Sequence, residues 1–183
     1  MFTTQRRVEF RDTDAAGIVH FSAFFPMMEA AEHAMLRSLG ISVMTRPADD
    51  EHSKSEQSTE SGAETTPPAD VTWPRVSAHC DYRAAARFED ILEIAVTVLR
   101  LGSSSVEYGI RFSRSAPADQ PGQRDQPEQP GKSGATVIAE GRLTAVCCTL
   151  SPGGKLKKTP IPEDLRKLLA KHLDSQTFSA DHA

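Results

Sequence analysis

The chain has 183 residues, of which 38% are hydrophobic and 25% are charged, and its formal net charge is −4. A chain of this size can bury about two thirds of its unfolded surface without disulfides or a structural metal. The sequence contains no basic stripe with interleaved aromatic residues, so nucleic acid is not an expected partner.

The lengths of the apolar runs and the spacing of the cysteines indicate where in the cell the protein is found. No run of about 18 apolar residues occurs, and the N-terminal residues lack the apolar core of a signal peptide, so we expect neither a membrane span nor secretion. The three cysteines, Cys80, Cys147 and Cys148, form an odd set without a Cys-x-x-Cys spacing. This pattern predicts reduced thiols and a cytoplasmic location.

Two segments, at about residues 46–70 and 116–134, contain almost no large apolar side chains. Such segments cannot bury enough surface to offset the entropy lost on ordering. No flanking piece carries a complete hydrophobic core of its own. The sequence therefore predicts one domain over residues 1–183, with two polar insertions.

The N-terminal part of the chain predicts a strand followed by a long helix. Residues 5–11 alternate as in a strand, with Val8 and Phe10 on one face. The next apolar residues step by three and four, and charged residues fall between them, so we expect one amphipathic helix with Ser22 as a plausible N-cap and Gly40 at its end. The apolar positions are Phe24, Met27, Met28, Ala31, Met35, Leu36 and Leu39; the positions between them include Glu29, Glu32, His33 and Arg37.

The remainder of the chain predicts four strands and a terminal helix. Alternation marks residues 76–82, 91–101, 106–112 and 136–150, with Val76, Ala78, Cys80 and Tyr82 on one core-like face of the first. Short connections make antiparallel neighbours the expectation. Prolines and acidic residues at 160–164 open a helix that carries Leu165, Leu168, Leu169 and Leu173. A single apolar helix and one sheet predict that the sheet wraps the helix.

The run 12–17, Asp-Thr-Asp-Ala-Ala-Gly, lies between the first strand and the long helix. This position delivers an acidic side chain to the positive N-terminal end of a helix, where an enzyme places a base or nucleophile beside a developing oxyanion. We expect Asp14 to be the free carboxylate and Asp12 to cap the turn. An ordinary turn without catalytic function is the alternative interpretation.

The motif at 7–25, together with residues 80–83 (CDYR) and 87–93 (RFEDILE), resembles the hotdog-fold acyl-CoA thioesterases of the 4-hydroxybenzoyl-CoA thioesterase family. Within that family, the start of the motif is most similar to 1,4-dihydroxy-2-naphthoyl-CoA hydrolases. The resemblance implies an α+β hotdog fold, in which an antiparallel sheet of about five strands wraps one long central helix and a C-terminal helix follows. It also implies hydrolysis of an acyl-CoA thioester, with an aromatic acyl group favoured, by a homodimer or homotetramer that needs no cofactor.

By the same resemblance, Asp14 is the catalytic carboxylate and the backbone N–H near Phe21 polarises the carbonyl oxygen of the substrate. His20 is a candidate for orienting the substrate or assisting proton transfer. The expected substrate-binding residues are Gly17, which makes the tight turn, Ile18, Val19, Phe24, Phe25 and Arg83. The chain departs from its relatives in having Phe21 where many have His or Tyr, and in offering Gly102, Ser103 and Ser104 where others carry basic residues for the CoA phosphates.

Several alternatives remain open at this level. Another branch of hotdog thioesterases carries its catalytic carboxylate on the central helix, which makes Glu29 and Glu32 rival candidates, although a solvated helix face is the simpler interpretation. His79 and the cysteines show no metal-ligand spacing, so we expect no metal site. A hotdog hydratase or dehydratase, with His20 in the primary role, and a non-catalytic acyl-CoA-binding module are the other functions considered.

Overall fold

The computed structural model describes residues 1–41, 71–115, 135–151 and 154–174. Both predicted polar insertions lie mainly or entirely outside these ranges, and the single-domain organisation stays a prediction. In chain order the elements are β1 (Phe2–Arg7), α1 (Phe24–Ser38), β2 (Val71–Thr72), β3 (Arg75–Tyr82), β4 (Ile91–Leu101), β5 (Ser105–Arg114), β6 (Thr136–Val146), β7 (Cys148–Leu150), β8 (Leu156–Lys158) and α2 (Glu163–Ala170). Neither helix is long and apolar enough to cross a lipid bilayer.

Five strands form an antiparallel sheet in the order β1-β4-β5-β6-β3, and β2, β7 and β8 form a smaller one. Alternate residues of β4, from Leu92 to Val98, are buried, while their neighbours are more exposed. This is the pattern of a sheet with one face on a core. The predicted α+β hotdog architecture, with about five antiparallel strands, a long helix and a C-terminal helix, is confirmed.

The apolar face of α1 packs on this sheet, as its spacing predicted. Phe24, Met27, Met28, Ala31 and Met35 are all buried in the common core. The close approach depends on Gly141 in the middle of β6, because a Cβ added there would collide with the sulfur of Met28. Glycine at this position therefore leaves room for the Met28 side chain against the sheet.

The first strand ends earlier than predicted. It stops at Arg7, and a 3₁₀ turn follows at Phe10–Asp12. Val8 is buried but the Phe10 side chain is 79% exposed, so the prediction that both lie on one face was wrong. The chain bends here because the Asp12 carboxylate accepts the backbone N–H of Glu9 at 2.9 Å.

The long helix begins with a short 3₁₀ turn, Phe21–Ala23, and continues as α1 from Phe24. The predicted N-cap at Ser22 is wrong, because the ring of His20 caps this turn and accepts the Ser22 N–H at 3.4 Å. Gly40 ends the helix as predicted. Its φ of 74° lies in the left-handed region that glycine adopts without strain.

Three other expectations were wrong. Glu32 is 1% exposed rather than solvated. The predicted strand at 136–150 is interrupted at Cys147, whose N–H donates to the Ser104 carbonyl, and continues in the smaller sheet as β7. The expected core face of β3 is largely exposed, since β3 forms an edge of the sheet and Val76 is 62% exposed.

Candidate active site

The acidic turn predicted from the sequence is a tight reversal between Thr13 and Val19, which form an antiparallel bridge. The Asp14 N–H donates to the Ile18 carbonyl at 2.9 Å, and the Gly17 N–H donates to the Asp14 carbonyl at 3.0 Å. Gly17 has a φ of 71°, which a residue with a Cβ adopts only at a cost. The predicted role of Gly17 in the turn therefore has a conformational basis.

Backbone hydrogen bonds fix this turn against the connection between β3 and β4. The Val19 N–H donates to the Ala86 carbonyl at 2.8 Å, and Ile18 forms an antiparallel bridge with Arg87. The His20 N–H donates to the Asp12 carbonyl at 2.8 Å. These contacts are made by main-chain atoms, so they hold the turn in place independently of its side chains.

A cavity of about 390 Å³ opens beside the turn. This volume lies within the range of about 300–1,000 Å³ that is usual for small-molecule sites. Its walls are mainly apolar, with Asp14 and Arg83 as the charged residues. The lining residues are Asp14, Ile18, Val19, Phe21, Phe24, Tyr82, Arg83, Ala84, Ala85 and Ala86.

The structure gives the two aspartates of the turn different surroundings. Asp12 is 7% exposed and forms an ion pair with Arg6 at 3.1 Å, in addition to its bond with the Glu9 N–H. Asp14 is half-buried at the cavity, and its Oδ1 accepts the Ala16 N–H at 2.8 Å. No cationic side chain of the described residues lies within ion-pair distance of Asp14. Asp12 is thus committed to the turn, whereas Asp14 remains available to a ligand.

Phe21 occupies the wall of the cavity just before α1, a helix of 15 residues. Its backbone N–H donates to no acceptor among the described residues. The carbonyl groups on either side are engaged: that of His20 accepts the Ala23 N–H at 2.9 Å, and that of Phe21 accepts the Tyr82 hydroxyl at 3.1 Å. An unpaired N–H at the positive end of a helix is suited to stabilising negative charge.

Of the predicted site residues, Asp14, Ile18, Val19, Phe21, Phe24 and Arg83 line the cavity together. Gly17, His20 and Phe25 do not. His20 Nδ1 lies 2.7 Å from Ser22 Oγ, and its ring contacts that of Phe21 at a centroid distance of 4.3 Å. Phe25 is a partly buried residue packed on the core.

Sequence reasoning missed four residues of the wall. Tyr82 was assigned to a core face of β3, but it lines the cavity and contacts Phe24 at a centroid distance of 5.3 Å. Ala84, Ala85 and Ala86 were not among the predicted site residues. Three consecutive small side chains after a strand were the available signal, because they leave open space where larger residues would fill it.

Arg83 lies exposed at the rim of the cavity. Its Nε is 3.6 Å from Glu140 Oε2, and Glu140 also accepts hydrogen bonds from Arg111. The carboxylate therefore orients Arg83 without burying it. An exposed guanidinium at this position can meet an anionic part of a ligand.

The rival candidates lie elsewhere. Glu29 and Glu32 do not contribute to the cavity wall; both pair with Arg75, at 3.3 and 2.6 Å. Burial raises the pKa of the Cys80 thiol to about 11, which disfavours the reactive thiolate. Within the described part of the chain, no group of three or more His, Cys, Asp and Glu residues could hold a metal ion.

A sheet wrapped on a long helix, with a cavity beside the start of that helix, is the architecture of a hotdog-fold protein. The chain belongs to the thioesterase superfamily, whose family model matches residues 16–118, more than half of its length. A comparison with curated protein sequences gave no match.

Solved structures show the same fold in other thioesterases. The Dynemicin thioesterase is similar with a TM-score of 0.69 and 20% identity, over 95% of this chain and 98% of that one. The 1,4-dihydroxy-2-naphthoyl-CoA thioesterase from Synechocystis gives a TM-score of 0.63 and 21% identity, over 100% and 98%. An aspartate-to-asparagine variant of a 4-hydroxybenzoyl-CoA thioesterase, bound to 4-hydroxybenzoyl-CoA, gives 0.66 and 18%, over 92% and 97%.

Proposed function

We propose that this thioesterase hydrolyses an acyl- or aryl-CoA to the free acid and CoA, with Asp14 as the catalytic carboxylate and the Phe21 N–H as the oxyanion donor. One observation carries the proposal: the same cavity is lined by Asp14, whose carboxylate has no ion-pair partner among the described residues, and by Phe21, whose backbone N–H has no acceptor among them. These are the two groups that thioester hydrolysis requires, a base or nucleophile and a stabiliser of the tetrahedral intermediate.

Two routes are compatible with this arrangement. As a general base, Asp14 accepts a proton from water while the water oxygen attacks the thioester carbon, and collapse of the intermediate expels the CoA thiolate. As a nucleophile, a carboxylate oxygen of Asp14 attacks the same carbon, CoA leaves, and water then cleaves the resulting anhydride. In both routes the Phe21 N–H stabilises the oxyanion, a contribution of about 10²–10³ in rate for one donor.

The character of the cavity favours an aromatic acyl group. Phe21 and Phe24 offer aromatic surfaces, and the small side chains of Ala84 to Ala86 form another part of the wall. The names of similar proteins support this choice, since they describe thioesterases for 1,4-dihydroxy-2-naphthoyl-CoA, 4-hydroxybenzoyl-CoA and gentisyl-CoA. Arg83 at the rim is the proposed contact for a polar or anionic part of the CoA moiety.

The exposed edge of the sheet supports assembly into a homodimer or homotetramer. β3 is an edge strand, and it presents apolar side chains such as Val76 and Tyr82 to solvent. Unprotected edges of this kind pair readily with another strand. Sedimentation of the wild type and of Val76→Lys tests this assembly: a monomeric wild type would contradict it, and a smaller species only in the variant would support it.

A hydratase or dehydratase has less support. That reaction gives His20 the primary role, but His20 does not line the cavity and its Nδ1 bonds to Ser22. The two reactions differ in their products, since only thioester hydrolysis releases free CoA thiol.

All three cysteines are free thiols, in line with the cytoplasmic location proposed from the sequence.

The decisive experiment is Asp14→Asn, assayed by thiol release against aromatic, short-chain and long-chain CoA esters. We expect kcat to fall about a hundredfold or more, because the amide is neither a base nor a nucleophile. Asp164→Asn, which changes an exposed carboxylate of α2, is the matched control and should retain wild-type turnover. Wild-type turnover of the folded Asp14→Asn variant would refute the assignment.

A further inference from the structure

The last residue of β3 connects the edge strand with the turn that carries the proposed oxyanion donor. The Tyr82 hydroxyl donates to the backbone carbonyl of Phe21 at 3.1 Å, although the two residues are 61 positions apart. The Tyr82 ring packs on Phe24, and burial raises the pKa of its hydroxyl, which keeps that group protonated and able to donate. Tyr82 is therefore both a wall of the cavity and a contact to the turn.

The 3₁₀ turn Phe21–Ala23 has few other side-chain restraints. Ala23, the residue that precedes α1, provides no side-chain cap, and the His20 ring is a local contact within the same segment. Across the described ranges, the Tyr82 hydroxyl makes the only side-chain hydrogen bond that reaches this turn from another secondary-structure element. Its loss would leave the Phe21 carbonyl without that anchor.

The direction of the Phe21 N–H depends on the peptide groups around it. Because a peptide unit is planar, the bond from Ala23 to the His20 carbonyl fixes the plane that contains the Phe21 N–H. The bond from Tyr82 to the Phe21 carbonyl fixes the following plane. Together they restrict both backbone dihedral angles of Phe21 and thereby the orientation of its free N–H.

We propose that Tyr82 is a positioning residue for thioester hydrolysis, because its hydroxyl holds the Phe21 turn with the N–H directed at the substrate carbonyl oxygen. The inference rests on the proposed function and deepens it. Tyr82 contributes no proton and no nucleophile. Its effect falls on the transition state, in which the oxyanion forms, more than on binding of the neutral thioester.

The test is Tyr82→Phe, which removes the hydroxyl and keeps the ring against Phe24. We expect kcat to fall about tenfold, the equivalent of one neutral hydrogen bond, while KM stays close to the wild-type value. The matched control is Ser38→Ala, which deletes a hydroxyl-to-carbonyl bond of 2.6 Å to Met35 at the opposite end of α1. That control should leave kcat unchanged.

Amide hydrogen exchange provides a readout that does not depend on turnover. In Tyr82→Phe we expect faster exchange at residues 21–24, whereas Ser38→Ala should affect only the C-terminal end of the helix. Unchanged exchange at residues 21–24, or wild-type kcat in Tyr82→Phe, would overturn the inference.

The Asp14→Asn variant, measured in parallel, separates the two proposals. An inactive Asp14→Asn beside a fully active Tyr82→Phe refutes only the positioning role. A fully active Asp14→Asn refutes the proposed function itself, while exchange at residues 21–24 still reports whether Tyr82 holds the turn.

Discussion

Replacement of Arg75 by methionine tests the polar cluster that joins α1 to the start of β3. Arg75 lies 2.6 Å from Glu32 Oε2, 3.3 Å from Glu29 Oε1 and 2.8 Å from His33 Nε2. Glu32 is 1% exposed, and its other oxygen, Oε1, is buried without a hydrogen-bond partner. Removing the guanidinium therefore leaves a buried carboxyl group with no compensating charge.

The expected loss of unfolding free energy is about 3–5 kcal/mol, the usual cost of breaking a buried ion pair by removing one partner. For a chain of this size, each 1 kcal/mol lowers Tm by about 2–4 °C, so a decrease of roughly 10 °C is expected. Methionine retains much of the aliphatic length of arginine, so the loss reflects charge more than packing. Glu29 is exposed enough to be solvated, and it adds little.

We expect the loss of unfolding free energy in Arg75→Met to increase with pH. Burial raises the pKa of Glu32 above its ordinary value, while Arg75 opposes that shift. A carboxyl group whose pKa is higher in the folded than in the unfolded protein stabilises the fold at pH values below its unfolded pKa. This contribution is lost as the pH rises through its folded pKa. Without Arg75 the pKa of Glu32 rises further, so the variant loses more stability than the wild type between mildly acidic and alkaline pH.

The neighbouring His33 acts in the same direction. Burial, and secondly Arg75, lowers the pKa of His33, so the wild type loses some stability as pH falls through that value. In Arg75→Met one of these causes is removed, and a protonated His33 becomes easier to accommodate beside the carboxylates of Glu29 and Glu32. Tyr108, which also faces Glu32, has a raised pKa and stays neutral throughout this range.

Urea unfolding at pH 5 and pH 8 measures the effect. We expect the deficit of Arg75→Met to be larger at pH 8, and we expect Glu32→Gln in the same background to restore most of the loss there. Two results would contradict the explanation that a buried, unpaired carboxylate causes the loss. One is an equal loss of unfolding free energy at both pH values. The other is an Arg75→Met/Glu32→Gln double variant that is as unstable as Arg75→Met at pH 8.

Two further predictions concern packing and thiol chemistry. Gly141→Ala should lower the unfolding free energy by about 1–3 kcal/mol, because the new methyl group displaces Met28. Gly102→Ala is the control, since its new methyl group meets mainly the mobile end of Ser105. Urea unfolding measures both variants, and equal losses would argue against the helix contact. Burial raises the pKa values of the Cys80 and Cys147 thiols to about 11, so both should be alkylated more slowly at pH 8 than the thiol of a small peptide. Mass spectrometry measures the two rates. Alkylation of either cysteine at the peptide rate would contradict the burial of that thiol.

The regular elements were predictable from apolar spacing, but their ends were not. The spacing from Phe24 to Leu39 predicted α1, and the glycine at position 40 predicted its end, where the structure shows a left-handed φ. The end of β1 depends on Arg6 and Glu9 converging on the Asp12 carboxylate, which no local propensity describes. The burial of Glu32 depends on Arg75, 43 residues away, so helical spacing alone assigned it to the wrong face.

The site was predictable where it is local in sequence. The turn with Asp14, Gly17 and Phe21 could be read from a single motif, because one reversal and one helix start bring these residues together. Tyr82 reaches the same place from the far edge of the sheet. Its contact is a property of strand order and register, neither of which alternation of apolar residues encodes.

The donor assigned to position 21 belongs to the main chain, and this has a consequence for variation of the enzyme. Any amino acid except proline carries the same N–H, so the phenylalanine ring can be exchanged while the electrostatic component is kept. Under the proposed mechanism, the ring of Phe21 contacts the acyl group and its backbone N–H stabilises the intermediate, so the two roles fall on separate atoms of one residue. Under the proposed mechanism, substitutions at position 21 can therefore change which acyl groups are accepted while the backbone N–H is retained. This position is a suitable start for redesign.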